Sequence, residues 1–324
     1  MSDVKWKSSL LSSSYPLEFE VAQILIKNKY AVEGEFPYKR IEDGNTKEFS
    51  VDIKALNCLN ETNNVNANDL LEINLLIECK YRVPKTNWIF LPEINSNHNY
   101  TPDSKEGSAF NIVDQFSYHY FDNSPMVNFE KQIPKVWKGV EVKSDSANDK
   151  EIKRGIYQLR YALPYFFEEK IDFNLLRNEF NIPFLVCPIL ITTADLYVLK
   201  KDCKVESVTK AEKVEDVATK VPYLVSFYPL GPDFLNHSQA IFKEFDEETP
   251  KGVFEYFNGL RTFGNSWETP VSIYNGFYYG NEKILNQYCS KVIICSLANF
   301  EDWLKKFHRS ILKLKNNISY TVDK

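Results

Sequence analysis

Two ionisable side chains stand close together at the end of one apolar segment of the chain. In residues 73–82, INLLIECKYR, the acid Glu78 and the amine Lys80 stand two positions apart. Residues two apart on a β-strand point to the same face, so this pattern predicts that Glu78 and Lys80 project together. The residues that point the other way, into a core, are Ile73, Leu75, Ile77 and Cys79. A carboxylate and an amine in this arrangement could hold a divalent metal with a water beside it.

An earlier strand pattern supplies a second acid. In residues 49–56, FSVDIKAL, the alternation predicts one apolar face made by Phe49, Val51, Ile53 and Ala55, with Asp52 on the opposite face. Oxygen atoms of carboxylates are the ligands that Mg²⁺ prefers. Two acids and a lysine on neighbouring strands therefore form a candidate metal site.

Two helical segments add polar residues to this set. The spacing of Leu17, Val21 and Leu25 predicts a helix over Leu17–Tyr30, and it places Glu18 on the inward face, where an acid needs a partner or a metal. A second helix is predicted from Asp149 to Phe167, and Gln158 lies one position from its apolar stripe. That stripe consists of Ile152, Ile156, Leu159 and Leu163.

The order of predicted elements indicates an α/β protein with a mixed central sheet flanked by helices. A helix and three strands come first, and an irregular, proline-rich and aromatic-rich insertion follows at about residues 83–148. A helix and two strands, at Ile182–Thr193 and Leu196–Leu199, then complete the pattern up to residue 200. In residues 201–324 the pattern predicts strands at Pro222–Tyr228 and Lys291–Ser296, helices near residues 240–245 and 253–260, and an amphipathic helix at Phe300–Leu314.

Composition narrows the classes of protein. The chain has 324 residues, of which 44% are hydrophobic, as in a globular protein with material for more than one domain. A net charge of −5 argues against a binder of nucleic acid driven by bulk charge, although it does not exclude a nuclease. Six cysteines without a C-x-x-C pair indicate reduced thiols and a cytoplasmic protein. The apolar run Ile182–Leu199 is interrupted by Pro183, Pro188 and Asp195, which favours two buried strands over a membrane span.

Taken together, these residues resemble the PD-(D/E)xK nuclease superfamily, in particular its Mrr-like and restriction-endonuclease-like branch. The resemblance covers residues 15–200 apart from the insertion at 83–148, and Val51 stands where the family name has proline. It implies a restriction-endonuclease-like core of order αβββαβ with a mixed central sheet, followed by a C-terminal α+β extension over residues 201–324. The matching pieces are Glu18-x-x-Val21-Ala22, Lys29-Tyr30-Ala31-Val32, Asp52, Glu78-Cys79-Lys80 and Gln158-Leu159.

What the resemblance implies is a Mg²⁺-dependent endonuclease, with Mn²⁺ able to substitute, that hydrolyses phosphodiester bonds in DNA and serves host defence. Asp52, Glu78 and Glu18 would bind the metal. Lys80 would orient or deprotonate the attacking water, and Gln158 would position water or the substrate backbone. The next two residues, Tyr81 and Arg82, would contact phosphate.

Other interpretations of the same residues stay open. Asp52 and Glu78 could be solvated strand residues with Lys80 as an ion-pair partner, Glu18 an ordinary acid at a helix start, and Gln158 an exposed helical residue. The chain could also be a catalytically silent nuclease-fold module used for binding or assembly, or an RNase on the same fold. Residues 201–324 could bind a partner subunit or form a homodimer.

Overall fold

The computed structural model describes residues 3–42, 45–60, 70–93, 108–114, 119–143, 146–173, 182–248, 271–314 and 316–319. Its helices are α1 Asp3–Ser12, α2 Tyr15–Lys27, α3 Ser124–Lys131, α4 Lys150–Ile171, α5 Val205–Lys210, α6 Val214–Val217, α7 Pro232–Glu248, α8 Val271–Tyr278, α9 Glu282–Cys289 and α10 Leu297–Ile311. Its strands are β1 Ala31–Glu42, β2 Asn45–Asn60, β3 Leu70–Lys80, β4 Asn87–Pro92, β5 Asn111–Val113, β6 His119–Phe121, β7 Lys135–Lys143, β8 Ser146–Asn148, β9 Phe184–Thr192, β10 Asp195–Leu199, β11 Ala218–Lys220, β12 Tyr223–Phe227, β13 Lys291–Ser296 and β14 Asn316–Ser319.

One mixed sheet of twelve strands organises the molecule, which confirms the predicted α/β class. Its order is β1-β2-β3-β9-β13-β12-β7-β4-β10-β11, with β5 on β9 and β8 on β7. β1, β2 and β3 form an antiparallel meander, and β9 then joins β3 in parallel. β6 and β14 form a separate antiparallel pair.

The central strands are apolar on both sides because helices cover both faces of the sheet. Leu76 of β3 belongs to one buried cluster together with residues of α4, α7, α8 and α9. Its neighbours Leu75 and Ile77 belong to a second cluster with residues of α2, α3 and α10. This alternation, with a period of two, is the strand geometry that the sequence predicts for Glu78 and Lys80.

The predicted helices and strands that bear the candidate site are present with small shifts at their ends. In α2 the residues Leu17, Val21 and Leu25 are buried, and in α4 the whole predicted apolar stripe is buried. The strand at Lys291–Ser296 is found as predicted, and the C-terminal amphipathic helix begins at Leu297, three residues earlier than predicted. The predicted helix over 253–260 lies outside the described residues.

The predicted insertion, within the described residues, is more regular than its proline content indicates. It contains β4 to β8 and α3, and both β4 and β7 lie inside the main sheet. Residues beyond 200 contribute β11, β12 and β13 to the same sheet. The division into a core at 15–200 and an extension at 201–324 stays a prediction about domain organisation.

The single apolar face predicted for the Asp52 strand is wrong. Val51 packs in the cluster with α4, whereas Ile53 and Ala55 pack in the cluster with α2. The side chains change faces because the pairing of β1 with β2 shifts register between these positions.

All six cysteines lie in described residues and are free thiols. Among the described helices, none combines the length and the apolar character that crossing a membrane requires.

Candidate active site

Glu78 and Lys80 lie together on β3, on the face that α4 covers. Glu78 is completely buried, and the Lys80 side chain is 13% exposed. The Lys80 Nζ donates a hydrogen bond to Glu78 Oε1. The prediction that the two side chains project together is confirmed, and both lie deeper than solvated strand residues would.

A β-bulge brings Asp52 to this pair. Gly34 of β1 pairs with Lys54, and Phe36 pairs with Val51, so that Glu35 alone faces the two residues Asp52 and Ile53. Asp52 Oδ2 accepts a hydrogen bond of 2.6 Å from the backbone N–H of Cys79. That nitrogen belongs to the peptide bond between Glu78 and Cys79, so the two acids are adjacent across β2 and β3.

Gln158 ties α4 to both strands. Its Oε1 accepts a hydrogen bond of 3.1 Å from Lys80 Nζ, and its Nε2 donates one of 3.3 Å to the carbonyl of Ser50. Gln158 therefore fixes where the lysine head group lies, instead of facing solvent as an ordinary helical glutamine.

Glu18 approaches the same group from α2. It is half-buried, and burial, Asp52 and Glu35 raise its pKa to about 7 while Lys80 opposes the shift. Glu18 thus lies within the electric field of the Asp52 and Lys80 side chains. An ordinary exposed acid at a helix start would not show this shift.

Burial raises the pKa of both strand acids. It raises the pKa of Glu78 to about 8, against the attraction of Lys80 and with the repulsion of Asp52 adding to the rise. Burial also raises the pKa of Asp52, while the Cys79 N–H and the Lys80 charge lower it. A divalent cation beside them would favour the ionised forms of both carboxyls.

The donor set fits a magnesium ion held by few protein ligands. Glu78 Oε2 is buried and has no hydrogen-bond partner among the described residues, so one carboxylate oxygen is unsatisfied beside Asp52. Across the described chain, no three His, Cys, Asp or Glu side chains form a ready ligand cluster. Mg²⁺ commonly binds through one or two carboxylates and keeps several waters. Asp52 and Glu78 would hold such an ion, and Glu18 would contact it through a water.

The two residues after Lys80 are tied into the protein. The ring of Tyr81 packs against the cluster that includes α2, and its backbone N–H donates to Ser14 Oγ at 3.3 Å. Arg82 forms ion pairs of 2.7 Å with Glu141 and 2.6 Å with Glu151. Two carboxylates balance the charge of Arg82, and a role for either residue in phosphate binding stays a prediction.

Two charged residues near the site were not predicted. Arg154 is exposed on α4, four residues before Gln158. Its positive charge lowers the pKa of Asp52, although burial, the Cys79 N–H, Lys80 and Glu35 each have a larger effect on that pKa. Glu35, opposite the bulge, raises the pKa of both Asp52 and Glu18. The four-residue spacing of Arg154 and Gln158 on one helical face was available in the sequence, whereas nothing in the sequence indicates the bulge that places Glu35.

Comparisons of the chain with protein-family models, with curated proteins and with solved structures found no match. A functional assignment therefore depends on the arrangement of side chains around Glu78.

Proposed function

We propose that this protein is a metal-dependent endonuclease that hydrolyses phosphodiester bonds in DNA. The observation that carries the proposal is the unsatisfied, buried Oε2 of Glu78, which within the described chain lies beside Asp52 and the Lys80 ammonium. The order of α2, β1, β2, β3, α4 and β9 supports a restriction-endonuclease-like core. The free thiols support action in a reducing compartment such as the cytoplasm.

Each residue of the site has a defined task. Asp52 and Glu78 would hold Mg²⁺, with Glu18 contacting it through a water. When bound, the ion supplies a nucleophilic water and neutralises charge on the phosphate. The Lys80 ammonium has three N–H donors, of which Glu78 and Gln158 accept two. The third donates to the attacking water or to a phosphate oxygen, and Gln158 keeps the ammonium in place.

Arg154 supplies an exposed positive charge close to Asp52. The chain as a whole is acidic, with a net charge of −5, so contact with a phosphate backbone requires local cations. Arg154 is exposed on the α4 face that bears Gln158, and we assign to it a phosphate next to the scissile bond. A host-defence role, and a homodimer or partner subunit bound through residues 201–324, belong to the same proposal as implications of the resemblance.

A cleavage assay tests the proposal. Supercoiled plasmid, linear duplex, single-stranded DNA and RNA are incubated with Mg²⁺ or Mn²⁺ and with wild type, Asp52→Asn, Lys80→Met and the control Lys305→Met, an exposed lysine of α10. We expect cutting of DNA that requires metal, disappears in the two site variants and persists in the control. Cutting of RNA alone would assign an RNase, and binding of DNA without cutting would assign a silent binding module.

Arg154 has its own test, because it acts in binding. Arg154→Ala should weaken DNA binding and lower the slope of log K against log salt by about 0.7–0.9, the change expected for one lost phosphate contact. Arg309→Ala removes an exposed arginine from α10, which packs on the opposite face of the sheet. Fluorescence anisotropy at several salt concentrations measures both, and equal slopes for the two variants would remove Arg154 from the interface.

A further inference from the structure

A cavity lies further along α4 from the candidate active site. This cavity of about 500 Å³ opens between β1, α4 and α7. Its volume falls within the range of small-molecule sites. The lining residues that matter for recognition are Arg40, Tyr161, Tyr165, Asp233, His237 and Glu244.

The cavity wall offers flat surfaces for stacking. The guanidinium of Arg40 covers the ring of the buried Tyr161, 3.8 Å from its centroid, so the outer face of the guanidinium is the flat surface left for stacking. Tyr165 is half-buried and stands one turn further along α4. Aromatic rings and arginine planes of this kind are the surfaces on which proteins stack nucleobases.

The same wall offers hydrogen-bond acceptors. His237 Nε2 lies 2.9 Å from the carbonyl oxygen of Tyr161, and because a carbonyl only accepts, Nε2 carries the hydrogen. Burial lowers the pKa of His237 to about 4, so at neutral pH its Nδ1 is an acceptor. With the carboxylates of Asp233 and Glu244, the cavity presents acceptors that suit the amino groups of a base.

The position of the cavity connects it to the candidate active site. Tyr161 and Tyr165 follow Gln158 by three and seven residues on α4. At a rise of about 1.5 Å per residue, they lie about 4.5 and 10.5 Å along the helix axis from Gln158. The hairpin of β1 and β2, which supplies Arg40 to the cavity, also supplies Asp52 and the Ser50 carbonyl to the site.

We infer that this cavity binds the base of a nucleotide next to the scissile phosphate, with Arg40 and Tyr165 as its stacking walls and His237 as an acceptor for the base edge. This inference rests on the proposed nuclease function, since it takes the strand across Gln158 into the cavity. The substrate is then a nucleic-acid strand in which the base next to the scissile phosphate unstacks and enters the cavity.

Filling the cavity tests the inference. Ala240 lines the cavity and is exposed on α7, and Lys243 of the same helix does not line it. Calorimetry measures binding of deoxynucleoside and ribonucleoside 5′-monophosphates to metal-free wild type, Ala240→Trp and Lys243→Trp. We expect at least one nucleotide to bind wild type and Lys243→Trp equally, and Ala240→Trp about tenfold or more weakly, the scale of one lost stacking contact.

A second cavity variant shows whether a loss of binding in Ala240→Trp comes from the cavity or from misfolding. Tyr165→Leu removes one stacking surface from a half-buried position and should weaken the same nucleotide by about fivefold or more. Unchanged affinity in both cavity variants, or no nucleotide binding by wild type, would overturn the inference. Nucleotide binding that depends on the cavity, in a protein that cuts no nucleic acid, would refute the nuclease function and leave the cavity as a nucleotide site. Cutting of nucleic acid without nucleotide binding would refute the inference about the cavity and leave the nuclease function in place.

Discussion

At the scale of single residues, the candidate site is governed by the cost of burying Glu78. An ionised carboxylate in the interior is unfavourable unless it is paired and hydrogen-bonded. Lys80 satisfies one of its oxygens, and the raised pKa of Glu78 is the consequence of the incomplete compensation. A buried carboxylate that is incompletely paired lowers the stability of the fold, and the same incomplete pairing favours binding of a cation.

Glu78 should make folding stability depend on pH. Its pKa rises from 4.5 in the reference state to about 8 in the folded protein. Between these values the folded chain keeps a proton that the unfolded chain releases, so the contribution of Glu78 to stability is full below pH 4.5 and is lost as pH rises through 8. We expect the free energy of unfolding of wild type, relative to that of Glu78→Gln, to fall between pH 5 and pH 8.

Urea unfolding in EDTA at several pH values measures this difference. Glu206→Gln is the control, because Glu206 is an exposed carboxylate paired with Lys210. A pH-independent difference between wild type and Glu78→Gln would mean that Glu78 is ionised throughout.

The sequence indicates which residues of β3 share a face, because strand alternation is local. It does not indicate how deeply they lie. The Lys80 side chain is only 13% exposed and pairs with the buried Glu78, which alternation along one strand cannot indicate. Arg82 is likewise enclosed by two residues that are distant in sequence, Glu141 and Glu151.

At the scale of elements, the β1–β2 hairpin decides whether Asp52 reaches the site. Without the bulge, alternation would keep Val51 and Ile53 on one face. The extra residue on β2 moves them to opposite faces and leaves Asp52 beside the Glu78 peptide. Gly34, at the register shift, has φ of +81°, a conformation that favours glycine.

Gly34→Ala therefore tests the hairpin against a matched glycine. A Cβ at Gly34 or at Gly231 would meet no atom within 4 Å, so the two positions differ in backbone conformation and not in space. We expect Gly34→Ala to lower the free energy of unfolding by about 1–2 kcal/mol and Gly231→Ala to change it by less than about 0.5 kcal/mol. Chemical denaturation measures both, and equal effects would show that the Gly34 conformation is not strained for alanine.

Helices and strands of this core follow from local patterns, and the bulge does not. The spacing in α2 and α4 reports their buried faces directly. The register shift in β1 and β2 depends on pairing between the strands, which an alternation pattern within one strand cannot reveal.

At the scale of the whole molecule, the sheet joins parts of the chain that the sequence pattern separates. β13 pairs in parallel with β9, and α10 buries Phe300, Trp303 and Phe307 in the same cluster as Ile189. These contacts link residues about a hundred positions apart, and such pairings are set by the assembled sheet.

A chain ending at residue 200 should therefore fail to fold cooperatively. It would lose β13 from the edge of β9 and would expose apolar residues now covered by α10, each worth about 1.5–3 kcal/mol of burial. We expect a broad thermal transition and binding of a hydrophobic dye, in contrast to the full-length protein. A sharp transition with retained cutting would instead make residues 15–200 a self-sufficient domain.

Titration of metal-free protein with Mn²⁺, followed by electron paramagnetic resonance, shows whether Asp52 and Glu78 hold a divalent metal. We predict a site in wild type that tightens as pH rises from 6 to 8, because the metal displaces protons from groups with pKa of about 7 and about 8. Asp52→Asn and Glu78→Gln should each weaken this site about tenfold or more, and Glu206→Gln should leave it unchanged. Equal Mn²⁺ binding by wild type and both site variants would contradict a metal site at these two acids.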